Sequence, residues 1–150
     1  MATALDVLPL AEVKLFVSVD FDDYDVQLTR QINAAVSYVE KYTNVMLYSR
    51  IKDYTITGCS LEVYDYPFGL VGATIPKSRQ NILSTTVYGS PGDTFQALVG
   101  YLTVDEVPSE LIEACYKIVL YLFENRDIYT AGLPWDIQML MNPFVRSATI

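Results

Sequence analysis

Leu28, Ile32, Ala35, Val39 and Tyr42 recur at steps of four, three, four and three, which places them on one helical stripe. Arg30, Gln31, Asn33, Ser37, Glu40 and Lys41 fall mostly off that stripe. The pattern predicts an amphipathic helix over 25–44, ending at Asn44, a residue that tolerates the left-handed conformation common at helix ends. Upstream, Val13, Phe16 and Val17 share one face of a shorter helix over 9–18, with Pro9 suited to its first turn. Downstream, every residue from Leu111 to Phe123 except Glu113 and Lys117 is hydrophobic. A helix over 108–127 that is apolar nearly all round is buried nearly all round. Its second flank, bearing Tyr116, Leu120 and Tyr121, needs cover, and either a β layer or another subunit would supply it. A last helix over 134–142 opens at Pro134 and stops at Pro143, with Trp135, Ile137 and Leu140 expected to point inward.

Between the helices the period changes. Tyr48 to Thr57 (YSRIKDYTIT) is rich in β-branched and aromatic residues and predicts a strand. Leu61, Val63 and Tyr64 suggest a second, Ile82 to Tyr88 a third, and Phe95 to Val104 the last. Pro67, Gly69, Gly72, Pro76, Gly89, Pro91 and Gly92 predict that loops and turns dominate 66–94. The expected fold class is α+β, mainly α with an inserted β portion over 47–104. It comprises a bundle of about four helices, a small antiparallel sheet or hairpin and a long loop, in one domain over 1–150.

Composition narrows the function. Apolar residues make up 51% of the chain, too many for a disordered protein. The longest apolar run is shorter than the roughly 20 residues a membrane-spanning helix needs. MATALDVLPL has no basic flank before an apolar stretch, so no secretory signal is expected. The formal charge is −8, and the ten Lys and Arg are scattered. A nucleic-acid clamp needs clustered cations to neutralise phosphates, so the scatter argues against that class. An acidic surface past which DNA slides without sticking remains compatible. Cys59 and Cys115 fit no zinc or redox spacing and read as idle or buried thiols, with a disulfide between them left open.

The chain has no histidine, which removes the commonest general base and metal ligand. It has no nucleophile elbow, dinucleotide turn or P-loop. The remaining candidate chemistry is VDFDDYD, with Asp20, Asp22, Asp23 and Asp25 inside six positions. Read as a calcium loop, it puts Tyr24 at position five, Asp25 where glycine is required and Gln31 where glutamate is required. Those mismatches argue against calcium. Read as a helix start it works: Asp22 or Asp23 would accept from free first-turn amides, and Asp25 would sit at the positive end of the helix dipole. Glu124 and Arg126 read either as a charged contact to a partner subunit or as a solvated helix end. Tyr48, Tyr54, Tyr64 and Tyr66 read as a half-buried sheet face or an interface.

Two segments, 10–44 and 99–127, with LPWDIQMLMNPFVR at 133–146, resemble the head–tail connector (adaptor) family of tailed bacteriophages. The resemblance rests on Leu10, Glu12, Val13 and Lys14; on Ala35, Tyr38, Val39 and Glu40; and on Gly100 with Tyr101. It continues through Val107, Pro108 and Leu111, then Phe123, Glu124, Asn125 and Arg126, and closes on Leu133, Pro134, Leu140, Pro143 and Arg146. The matched stretches cover about half the chain, at both ends. The resemblance implies no catalytic activity and no cofactor. It implies a ring of identical subunits, twelve-fold to match the portal, set between the portal and a stopper or tail-completion protein. Packaged DNA would pass through the lumen. It also implies that the C-terminal segment, Asn142, Pro143, Phe144, Val145, Arg146, Ser147, Ala148, Thr149 and Ile150, docks onto the portal, and that the protein resides in the virion neck. Ring-interface candidates are Tyr116, Leu120, Tyr121, Glu124 and Arg126. Another neck ring, or a carboxylate-dependent metal enzyme using the aspartates, are the competing readings.

Overall fold

The computed structural model describes residues 3–71, 77–81, 83–125 and 132–146. In chain order the described elements are α1 (Ala4–Val7), α2 (Leu10–Val17), α3 (Asp25–Thr43), β1 (Arg50–Thr55), β2 (Ser60–Val63), β3 (Phe68–Val71), β4 (Ser78–Gln80), β5 (Thr85–Tyr88), β6 (Thr94–Val99), α4 (Ser109–Glu124) and α5 (Trp135–Met141). Short 3-10 turns lie at Asp22–Tyr24, Val104–Glu106 and Asn142–Phe144. The α+β class holds.

The predicted stripe is the buried face of α3. Leu28, Ile32, Ala35, Val36 and Val39 are inaccessible or nearly so, and Tyr42 packs half-buried against the same core. The helix stops where expected: Asn44 takes φ 58° and its amide donates to the Glu40 carbonyl. On α4 the fully buried set is Leu111, Ala114, Cys115, Ile118 and Val119, one stripe at helical spacing. Burying a side chain such as Ile118 contributes about 1.5–3 kcal/mol. Within the chain, the flank of α4 bearing Tyr116, Leu120 and Tyr121 stays half-buried. Helices α2, α3 and α5 pack on α4, and on this flank Tyr116 lies against Phe16 with ring centroids 5.2 Å apart.

The β portion departs from expectation in strand number. Two three-stranded antiparallel sheets form, ordered β1-β6-β3 and β2-β5-β4. Strands β3 and β4 arise inside the segment expected to be mainly loop. The final strand ends at Val99, five residues early, because Gly100 turns the chain at φ 97°. Ile82, at the start of the third expected strand, lies outside the described residues.

Two hydrophobic clusters result, one among the helices and one between the sheets. Val45, Met46 and Leu47 join them by strand alternation: Val45 and Leu47 are buried in the helical cluster, and Met46 in the sheet cluster. Buried Glu40 reinforces the joint. Its Oε1 accepts from the Leu47 amide at 2.9 Å and its Oε2 from Arg50 Nη2 at 2.7 Å. Cys59 is exposed and Cys115 buried, and both are free thiols. Burial pushes the Cys115 thiol well above its ordinary pKa.

Candidate functional site

Two features lie at opposite ends of α3. At its N-terminal end, Lys14 of α2 reaches across to the acidic turn. Its Nζ is 2.8 Å from Asp22 Oδ1 and 2.8 Å from Asp25 Oδ1. The two carboxylates raise the Lys14 pKa, and Lys14 in turn lowers that of Asp22. The hydrogen-bonding role expected of Asp22 and Asp23 is corrected. Neither makes a bond to a first-turn amide among the described residues; Tyr24 occupies the cap position, and Asp22 is drawn to the ammonium instead. Asp25 does sit in the first helical turn. The turn is therefore an ion-paired hinge between two helices. Among the described residues no group of three His, Cys, Asp or Glu is placed to hold a metal ion. The same turn leaves Phe21 70% exposed, beside Leu15 at 76% and Val26 at 66%.

At the other end of α3, the helices, the sheets and the C-terminal segment meet. The Arg146 amide donates to the Thr43 carbonyl at 2.8 Å, and Asn44 Nδ2 donates to the Arg146 carbonyl at 2.6 Å. Tyr42 donates to Asn142 Oδ1 at 2.7 Å, and Phe144 is half-buried on the helical core. Thus Asn142, Pro143, Phe144, Val145 and Arg146 are fastened to the body. Ser147, Ala148, Thr149 and Ile150 lie outside the described residues.

The Arg146 guanidinium stacks on the Tyr66 ring, 4.1 Å from its centroid, and Tyr101 meets Tyr66 edge-on. Arg146 Nε is buried without a hydrogen-bond partner, and no carboxylate pairs with the guanidinium among the described residues. Burial lowers the Arg146 pKa, against the opposing pull of the two phenols. Arg146 closes one side of an open groove of about 880 Å³, whose other walls carry Glu62, Tyr64, Tyr66, Asn81, Leu83 and Ser84.

The remaining candidates fall as follows. Tyr116 is occupied within the chain: its hydroxyl donates to Glu12 at 2.8 Å, and burial together with that carboxylate pushes its pKa up to about 12. Tyr121 is half-buried on the core, Leu120 is half-buried, and Glu124 is exposed. Arg126 lies outside the described residues. Trp135 corrects an expectation: it is 72% exposed, and the inward stripe of α5 is Ile137 with Met141. Tyr48, Tyr54, Tyr64 and Tyr66 are all half-buried; Tyr54 stacks on Phe95 and donates to Asp65, which also binds Lys52. Burial and the Asp65 carboxylate push the Tyr54 pKa far above its ordinary value. Sequence reasoning missed Glu40, Asn44 and Tyr66 as joint residues, because their partners are set by tertiary contact and leave no periodic trace.

The model of the phage gp6-like head-tail connector proteins matches residues 8–134. The chain belongs to this connector family. The match spans the hinge, α3, both sheets and α4, and stops before α5. No curated protein matches the chain by sequence. Among solved structures, the chain resembles one from the neck of an empty gene transfer agent (GTA) particle computed with sixfold symmetry. There the TM-score is 0.75 at 17% identity, covering 100% of this chain and 95% of that one. A structure from the virion of the native particle gives the same figures, 0.75, 17%, 100% and 95%. One from the native neck computed with twelvefold symmetry gives 0.74 at 16% identity, covering 100% and 94%. At such identities the likeness establishes the fold. Several residues that carry the family resemblance are engaged within this connector chain: Glu12 by Tyr116, Lys14 by the acidic turn, and Glu40 by Arg50.

Proposed function

We propose that this connector chain is a structural protein of a virion neck. Identical copies form a ring, twelve to match the portal, between the portal and a stopper or tail-completion protein. Packaged DNA passes through the lumen without specific binding, and the chain performs no catalysis. The observation that carries this reading is the family match over 8–134. The whole-chain likeness to a neck structure of twelvefold symmetry supports it. The charge of −8 suits a conduit, because an acidic wall repels the DNA backbone. The C-terminal segment, 142–150, is the portal-docking element in this reading. Residues 142–146 of it are fastened beside the groove.

The test is co-chromatography with the cognate portal, monitored by light scattering. It compares the full chain with a chain ending at Arg146, which keeps every anchoring bond described above. The full chain gives a ring-sized complex and the shortened chain does not. A complex with neither places the chain further from the capsid, as a stopper or tail-completion ring. A complex with both removes the portal contact from the last four residues.

A further inference from the structure

The acidic turn and the Arg146 groove complement each other, yet cannot meet within one chain. The turn directly precedes α3, and Asn44, which holds the Arg146 carbonyl, directly follows it. Nineteen helical residues separate the two by about 28 Å. The turn offers an exposed aromatic ring, Phe21, flanked by Asp20 and Asp23, neither of which pairs with a cation among the described residues. Lys14 holds the turn in shape through Asp22 and Asp25.

The groove offers the reverse. It has a guanidinium that stacks on Tyr66 and lacks an acidic partner, and an orphaned buried Nε. Its apolar rim is Leu83, 39% exposed. Arg79 on the bordering edge strand β4, and Lys77 just before it, add positive charge. Glu62, the acid in the groove wall, already accepts from Tyr64 at 2.7 Å.

We infer that the acidic aromatic turn of one copy seats in the Arg146 groove of the next. Phe21 lies against Tyr66 and Leu83, and the carboxylates of Asp20 and Asp23 face the Arg146 guanidinium. The occupant is a second copy of this chain because the charges are complementary, and because a donor and an acceptor at opposite ends of one subunit make a head-to-tail contact. Such contacts close into rings when the rotation closes. The inference rests on the neck-ring reading and assigns the surface that reading leaves unnamed.

The test is self-association by light scattering, for the full chain alone over a range of concentrations and on the portal ring. Phe21→Glu and Arg146→Glu each weaken assembly by about thirtyfold or more, as removing one member of a desolvated contact does. Mixed together, the two variants give a one-to-one dimer, since one turn and one groove remain intact. Asp23→Arg combined with Arg146→Glu in one chain recovers the ring. Thermal melts monitored by circular dichroism verify that each variant is folded. If the unaltered chain forms rings and both single variants do so equally well, the assigned contact is overturned while the neck reading stands. If the unaltered chain forms no ring, either alone or on the portal, the portal-ring reading falls and the contact with it.

Discussion

Gly100 holds φ 97°, and a Cβ there would stand 2.0 Å from the Tyr48 carbonyl oxygen. Backbone cannot yield to that contact as a flexible side chain would. Gly100→Ala is therefore expected to cost about 1–3 kcal/mol or more, seen as a lower urea midpoint at unchanged slope. Glu40 is a second such position, a buried carboxylate that holds both an amide and a guanidinium. Arg50→Ala leaves that charge buried with one partner, and a loss of about 3–5 kcal/mol is expected by chemical denaturation. Tyr116 sets a pH dependence. Its pKa is raised to about 12, so its contribution is complete below roughly pH 10, where the unfolded phenol begins to ionise, and is lost as pH rises through the folded value. Asp22 has the opposite sign: its lowered pKa contributes stability above roughly pH 4, lost on acidification. Tyr116→Phe is expected to flatten the alkaline limb of the stability profile and leave the acid limb unchanged.

At the scale of elements, helices were legible and strands less so. The stripes of α3 and α4 follow from period alone, because one core wraps each of them. Trp135 was misplaced because α5 is only seven residues long, and on so short a helix Ile137 and Met141 define a stripe as well as Trp135 and Leu140 do. Trp135→Ala should change stability by within about 0.5 kcal/mol, as an exposed position does; a larger loss in a melt of the isolated chain would show a packing role. Strands β3 and β4 are four and three residues long and were hidden among prolines and glycines, where turn signals outweigh alternation. The acidic turn was legible as a helix start, and its partner was not. Lys14 lies eight residues from Asp22 in sequence, and only the angle between α2 and α3 brings them together. The groove was not legible at all, since Tyr66, Leu83 and Arg146 come from three distant segments.

For the molecule as a whole, the two clusters are joined by the alternating Val45-Met46-Leu47, by the backbone bonds that tie Asn44 and Met46 to Tyr66, by the Glu40 clamp and by Arg146 stacked on Tyr66. That joint fixes how the sheets and the C-terminal exit are presented relative to the bundle. A neck protein needs such a fixed presentation, because a ring repeats one orientation around its axis. The most direct measurement is a cryo-electron microscopy map of the parent particle's neck. The account predicts a closed ring of this chain seated against the portal, with residues 142–150 of each copy at that contact. A neck without this chain, or a ring separated from the portal by another protein, would contradict it.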